Sequence, residues 1–76
     1  MRTTLDALSA GDFATVLEVG GDLEVAGRLM EMGVLPGTSL QVVRYAPLGD
    51  PMEVKARGYH LTLRRAEASG IVVEKM

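Results

Sequence analysis

The stretch Arg28–Leu40, RLMEMGVLPGTSL, decides the fold. Its first residues have helical spacing and its last residues start a β-type run, so the chain changes direction between them. Gly33 stands where the end of a helix favours a left-handed residue, and Pro36-Gly37 has the composition of a tight turn. The stretch therefore predicts a helix-to-strand junction, which we call the corner, with Gly33 and Gly37 as its turn residues.

The helix that leads into the corner is predicted over Asp22–Met32. Four apolar residues share one of its faces at helical spacing: Leu23, Ala26, Leu29 and Met30. Asp22 can cap the free amides of the first turn, and Glu24 precedes Arg28 by four residues, the favourable order for an ion pair. Gly27 costs about 1 kcal/mol relative to alanine inside a helix, which predicts that another segment packs closely against it.

Short β-type runs flank the helix on both sides and are separated by turn residues. They are Phe13–Val19, Thr38–Ala46, Met52–Arg57, Tyr59–Leu63 and Ile71–Glu74. The third run alternates apolar and charged residues, so we expect one of its faces to be buried and the other to be wet. Two prolines bracket Gly49 in the loop before that run, which predicts a turn between two strands. The sequence predicts a mostly β domain of about five strands.

Length and composition narrow the class of protein. A chain of 76 residues predicts a single domain, residues 1–76, with one core. The absence of cysteine excludes disulfides and thiolate metal sites and fits a reducing compartment. No apolar run is long enough to span a bilayer, and the N-terminal residues lack the apolar region of a signal peptide. We expect a soluble, cytoplasmic protein without direct membrane insertion.

Two longer stretches carry a family resemblance: RLMEMGVLPGTSLQVVRYAPLGDPMEV from Arg28 to Val54, and YHLTLRRAEASGIVV from Tyr59 to Val73. They are preceded by Leu5, Leu8, Gly11 and Val16. The chain resembles the FeoA family, small SH3-like barrels associated with bacterial ferrous iron uptake. The resemblance implies a barrel of five to six strands with one short α-helix inserted after the first strand. It also implies an accessory or regulatory protein of iron transport, whose partner is the cytoplasmic region of a FeoB-type ferrous iron transporter.

The residues themselves offer no ferrous iron site, although the resemblance suggests iron. Such a site needs two or three histidine or carboxylate ligands, and His60 is the only histidine, placed within a predicted strand. The serine and threonine hydroxyls lack a base and an orienting group, and no glycine-rich phosphate loop precedes a helix with a lysine. We expect no metal ligand set, no cofactor and no enzymatic activity.

Four arginines could form a basic patch for nucleic acid: Arg44, Arg57, Arg64 and Arg65. Proteins that bind nucleic acid usually combine such a patch with stacking aromatic residues. This chain has a net charge of −2 and no tryptophan, so we expect no nucleic-acid partner. Arg64 is expected to pair with Glu67, three residues later, and so to fasten the last turn instead.

Apolar residues in predicted loops are the best candidates for binding a partner, because exposed apolar groups on a rigid scaffold mark interfaces. They lie in the corner and around the loop Pro47–Pro51. The candidates are Met32, Val34, Leu35, Pro36, Leu48, Pro51 and Met52. The alternative is that Leu35 and Leu48 fold back over the ends of the barrel as clamps around turns.

Two other functional interpretations stay open. One is an SH3-like regulatory module such as the domain at the end of iron-dependent transcriptional repressors, which would act in cis with a DNA-binding domain. The other is an enzyme or a direct iron chaperone, which would bind Fe(II) through His60 in stoichiometric amount. A transporter accessory protein is favoured, since the chain has no helix-turn-helix and starts with its own Met1. A homo-oligomer is also open, because exposed edge strands of small barrels can pair between copies.

Overall fold

The computed structural model describes all 76 residues as one antiparallel sheet with two helices. The strands are β1 (Arg2–Thr4), β2 (Phe13–Val19), β3 (Ser39–Tyr45), β4 (Met52–Ala56), β5 (Tyr59–Leu63) and β6 (Ile71–Lys75). The helices are α1 (Leu23–Glu31) and α2 (Arg65–Ala68), and a 3₁₀ turn covers Leu5–Ala7. The strand order is β1-β6-β2-β3-β4-β5, so β1 and β5 form the two edges of the sheet.

The five predicted strands are all present, and no boundary differs from its prediction by more than one residue. Strand β1 and helix α2 were not predicted, so α1 follows the second strand of the structure and not the first. Both missed elements are too short to show a repeating pattern, because β1 has three residues and α2 has four. Strand β1 exists because it pairs with β6 along Arg2–Thr4, a contact between the two ends of the chain.

The core is one cluster of 15 buried residues inside the curved sheet. Strand β4 shows the expected alternation most clearly, because Met52, Val54 and Ala56 are all at most 2% exposed. The pairing of strand β3 with β4 shifts register between Val42 and Arg44. A bulge of this kind bends a strand and increases its twist, which lets the sheet close around a small core.

Helix α1 begins as predicted, with the Oδ1 atom of Asp22 accepting hydrogen bonds from the amides of Glu24 and Val25 at 2.9 and 3.3 Å. The apolar face of the helix is buried only in part. Ala26 and Leu29 are buried, whereas Leu23 is 89% exposed and Met30 is 42% exposed. The helix therefore rests on the sheet along a strip narrower than its apolar face, and part of that face is left in solvent.

The glycine that makes a close contact is Gly70, and not Gly27 as predicted. No atom lies within 4 Å of a Cβ built on Gly27. A Cβ on Gly70 would lie 2.8 Å from the carbonyl oxygen of Gly20, at the point where the Gly20 amide donates a 2.8 Å hydrogen bond to the Gly70 carbonyl. The two backbones meet there because neither residue has a side chain.

Alanine substitutions at these two glycines should have opposite effects on stability. Gly70→Ala should lower the free energy of unfolding by about 1–3 kcal/mol, because the contact is with backbone that cannot move aside. Gly27→Ala should raise it by roughly 0.5–1 kcal/mol, because an open helical site gains the helix propensity of alanine. Urea unfolding followed by circular dichroism measures both, and a stable Gly70→Ala protein would contradict the contact.

Candidate partner-binding surface

The corner is held by hydrogen bonds on both sides of Gly33. The backbone of Gly33 has a φ of 98°, and the Val34 amide then donates to the carbonyl of Leu29 at 3.0 Å. The Thr38 hydroxyl donates to the Gly33 carbonyl at 3.4 Å and accepts from the Leu35 amide at 3.3 Å. The predicted left-handed glycine is confirmed, and the segment after it is a fixed loop.

Tyr59, at the start of β5, closes the corner from the other side. Its hydroxyl donates a 3.0 Å hydrogen bond to the carbonyl of Met32 and lies so close that any side chain on Gly33 would overlap it. A shallow depression of about 300 Å³ lies beside Tyr59 and is lined in part by Leu35 and Pro36. The corner therefore presents apolar residues on a rigid support.

Val34 and Met52 were predicted to bind a partner, and the structure contradicts this because both side chains are completely buried. Val34 turns into the core directly after the left-handed Gly33. Met52 is the first residue of β4 and belongs to the inward-facing series of that strand. Met52 lies next to a turn, but it occupies an inward-facing position of the strand alternation and is therefore buried.

The other predicted residues are accessible to different degrees. Leu35 is 44% exposed, and Pro36 and Pro51 are exposed, while Met32 is half-buried. Leu48 is 97% exposed in the loop between β3 and β4, so the alternative that it folds back over the barrel is wrong. These five residues remain candidates for contact with a partner.

The structure does not bring the corner and the β3–β4 loop together at one end of the barrel, because they lie at opposite ends of β3. Met32 and Pro51 line the same groove, of about 670 Å³, between α1 and the end of β5. We call it the α1–β5 groove. It is lined by Val25, Arg28, Met32, Pro51, Thr62, Arg64, Ala66 and Glu67.

Two exposed apolar residues on α1 were missed in the search for partner-binding residues. Leu23 and Met30 lie seven residues apart with Gly27 between them at the i+4 position, so the three form one strip, which we call the outer stripe. Gly27 leaves this strip open, with no atom near its Cβ position. The sequence contains the signal, because Leu23 and Met30 belong to the apolar face that the helical spacing defines.

The loop between β3 and β4 is fastened by Arg65 from α2. Its guanidinium donates to the carbonyls of Gly49 at 3.4 Å and Asp6 at 3.1 Å, and its amide donates to the Asp50 carboxylate at 3.1 Å. Gly49 has a φ of 89°, which confirms its role as a turn residue. Leu48 is therefore exposed on a loop that is tied to α2 and to the 3₁₀ turn.

Tyr45 completes this fastening from the end of β3. Its hydroxyl donates a 2.5 Å hydrogen bond to the carbonyl of Leu8, and the Arg65 guanidinium lies 5.0 Å from the centre of its ring. Burial raises the pKa of the Tyr45 hydroxyl above its ordinary value, although the charge of Arg65 acts in the opposite direction. The phenol thus holds its proton more tightly in the folded protein than in the unfolded chain.

His60 lies on the wet face of β5 beside Glu53, with 2.6 Å between its Nδ1 and the Glu53 Oε2. The other carboxylate oxygen of Glu53 lies 3.4 Å from the Nε of Arg44. No group of three or more histidine or carboxylate side chains comes together anywhere in the chain. The three side chains form an exposed row across β3, β4 and β5. Two possible metal ligands beside an arginine are too few for a cation site.

Comparison with known proteins identifies the family. Residues 3–75 match the family model for the FeoA domain. The chain belongs to the FeoA family. A relative in Porphyromonas gingivalis, an Fe(2+) transport protein A/Fe(2+) transporter FeoB fusion protein, is 39% identical over 70 residues. That match covers 92% of this chain and 8% of the fusion protein, so the FeoA chain spans less than a tenth of the length of that relative.

Solved FeoA structures share the fold. FeoA from Chlorobium tepidum is 49% identical with a TM-score of 0.89, and the match covers 95% of this chain and 69% of that one. FeoA from Stenotrophomonas maltophilia, a prokaryotic SH3 domain protein complexed with zinc, is 30% identical with a TM-score of 0.82. It is covered to 89%, against 95% of this chain. The predicted fold, mostly β and SH3-like with one inserted helix, is confirmed.

The fold also occurs within transcriptional repressors. A manganese-dependent transcriptional repressor superposes with a TM-score of 0.90 at 20% identity, over 99% of this chain and 41% of the repressor. At this level of identity the likeness concerns the fold alone. No helix of this FeoA structure is both long enough and apolar enough to pass through a bilayer.

Tyr45→Phe should destabilise the folded protein and change how its stability varies with pH in the alkaline range. Loss of the bond to Leu8 should lower the free energy of unfolding by about 1 kcal/mol at neutral pH. In the wild type, the stability linked to the raised pKa is complete below the unfolded-state pKa near 10 and is lost as pH rises through the folded-state value.

Urea unfolding at a series of pH values up to the alkaline limit measures this difference. Stability should fall more steeply above about pH 10 in the wild type than in Tyr45→Phe. Tyr59→Phe removes the other tyrosine of the chain and serves as the control. Identical alkaline slopes for the wild type and Tyr45→Phe would contradict the assignment.

Proposed function

We propose that this FeoA protein is an accessory factor of bacterial ferrous iron uptake that acts by binding the cytoplasmic region of a FeoB-type transporter. The observation that carries the proposal is the Porphyromonas gingivalis relative, in which a homologous segment is part of a FeoA/FeoB fusion protein. Fusion raises the effective concentration of one module near the other, which is useful when the two modules interact. A separate FeoA chain needs a surface to make the same association.

The corner and the outer stripe supply the docking surface of this proposal. Leu35, Leu23 and Met30 are each more than 40% exposed, on a helix and a loop fixed by backbone hydrogen bonds. Large apolar side chains held out in water by a rigid scaffold are typical of an interface. Pro36 adds a residue with little conformational entropy to lose on binding.

Leu48 belongs to a second, separate contact at the opposite end of β3. The bonds from Arg65 to Gly49 and Asp6 hold its loop in place before any partner arrives. A preformed loop pays less entropy on binding than a mobile one. Its distance from the corner makes it a test of where the transporter docks.

The protein acts without catalysis in this proposal. The single histidine is engaged by Glu53, is 51% exposed, and lines neither the depression at the corner nor the α1–β5 groove. A nucleophile and its base need a mutual hydrogen bond within a substrate pocket. The α1–β5 groove holds one hydroxyl, on Thr62, and one carboxylate, on Glu67, but that carboxylate is engaged by Arg28 and by the Arg64 amide. Ferrous iron is then the cargo of the partner.

A regulatory module of an iron-dependent repressor is the second candidate, favoured by the structural likeness to the manganese-dependent repressor. In that role the domain would act beside a DNA-binding domain on the same chain. The FeoA family assignment over residues 3–75 favours the transport role.

Leu35→Ser should weaken binding to the soluble cytoplasmic region of the transporter by about tenfold or more, because it removes a central apolar contact. Titration of ¹⁵N-labelled FeoA, with amide shifts as the readout, measures the affinity and maps the surface. The largest shifts should lie in the corner and the outer stripe.

Phe13→Ser is the matched control, since Phe13 is 51% exposed on β2 and belongs to neither the corner nor α1. It should bind as the wild type does. Absence of any shift would refute the proposed function. Shifts centred on Phe13, or confined to Leu48, would leave the partner in place and refute the proposed surface.

A further inference from the structure

Strand β5 is the edge of the sheet next to α1, and its backbone is half unpaired. It pairs with β4 alone, and no hydrogen bond outside the strand ladders involves the backbone of His60 or Thr62. The β4–β5 turn consists of Arg57 and Gly58, with φ values of 43° and 86°. Two central residues with positive φ define a type I′ hairpin.

The hairpin geometry fixes which groups of β5 point outward. The turn is closed by the Ala56–Tyr59 pair, which is the hydrogen-bonded pair of a two-residue hairpin. Antiparallel pairs alternate, so Lys55–His60 and Glu53–Thr62 are non-hydrogen-bonded pairs. The amides and carbonyls of His60 and Thr62 therefore face away from β4, toward the open edge.

The α1–β5 groove runs along the end of this open edge. Its volume of about 670 Å³ lies within the range of natural binding pockets. Glu67 holds the wall in place, because its carboxylate pairs with Arg28 of α1 and also accepts a 2.9 Å hydrogen bond from the amide of Arg64. The groove is thus preformed between a fixed helix and the open edge of β5.

The groove carries a positive charge on a protein whose net charge is −2. Arg28 is 57% exposed and forms an ion pair with Glu67. The Arg64 side chain is exposed and makes no ion pair. One carboxylate and two guanidiniums leave one positive charge in the lining. The free positive charge therefore lies beside the unpaired backbone, at the end of β5.

We propose that the α1–β5 groove binds an extended acidic segment of another protein, which adds to β5 as a further strand. Main-chain hydrogen bonds to His60 and Thr62 supply the affinity, as in other cases of strand addition to an open edge. Arg64 selects for an acidic side chain on the added segment. Strand addition at β5 does not require the transporter to be the partner.

A second copy of this chain fits the edge less well. Strand β5, Tyr59–Leu63, carries no carboxylate, so a second copy that added its own β5 to this edge would bring no acidic side chain to Arg64. A partner segment with acidic residues gains from Arg64.

The test uses the intact ¹⁵N-labelled protein and a short probe peptide in which glutamate alternates with valine and threonine. Binding should slow the hydrogen exchange of the His60 and Thr62 amides. Arg64→Glu should weaken binding by about tenfold or more, whereas Arg2→Glu, the same charge change on the other edge strand, should not. Thr62→Pro removes one outward amide while keeping the β4 ladder, and it should abolish binding.

A counterpart peptide with lysine in place of each glutamate should not bind. Equal binding of the two peptides, or protection at β1 instead of β5, would overturn the inference. Self-association that protects the same amides in the absence of peptide would overturn it in favour of a second copy.

If the transporter region binds and leaves the His60 and Thr62 amides unprotected while the acidic peptide also fails, this inference falls and the proposed function stands. If the acidic peptide binds at β5 and the transporter region does not bind at all, the proposed function falls and this inference stands.

Discussion

Two backbone hydrogen bonds tie the corner to strand β2, and the rest of the structure depends on them. The Val16 amide donates to the carbonyl of Thr38 at 2.8 Å, and the Gly37 amide donates to the carbonyl of Val16 at 2.7 Å. They set where β3 begins beside β2, and a slip of one residue would turn every side chain of β3 to the opposite face. The positions of Leu40 and Val42 in the core follow from this register.

The same constraint explains why α1 keeps accessible surfaces. The helix must end where the corner starts, so its position along the sheet is fixed by Gly33 and not by the best burial of its own apolar face. It rests on Ala26 and Leu29 and is held against α2 by the Arg28–Glu67 pair. The outer stripe and the α1–β5 groove lie beside this narrow line of contact.

The parts of the fold that could be predicted are those that local sequence patterns determine. The alternation of β4, the cap at Asp22 and the left-handed glycines are each decided by residues within one turn or strand. Strand β1 and the Gly20–Gly70 contact could not be predicted, because both depend on segments far apart in sequence. The predicted ion pair of Arg28 with Glu24 failed for the same reason, since Glu67 from α2 takes its place.

The candidate site was predicted less well than the fold, because exposure depends on where a side chain points after the chain has turned. Val34 and Leu35 are neighbours in the corner, yet the first is fully buried and the second is 44% exposed. Composition cannot separate them, since both are apolar residues beside a turn. The backbone direction set by Gly33 separates them, and only the structure provides it.

The size of the protein limits how a partner can bind. A standard stable interface covers about 800 Å² on each partner, which is roughly a sixth of the 4487 Å² surface of this chain. The depression at the corner is too small to supply that area alone, so a stable complex must also cover part of α1. The outer stripe and the α1–β5 groove flank the same helix, so a partner that adds a strand to β5 is well placed to wrap over α1 and reach the corner. A partner that touches only Leu48 buries little area, and its binding is expected to be weak and transient.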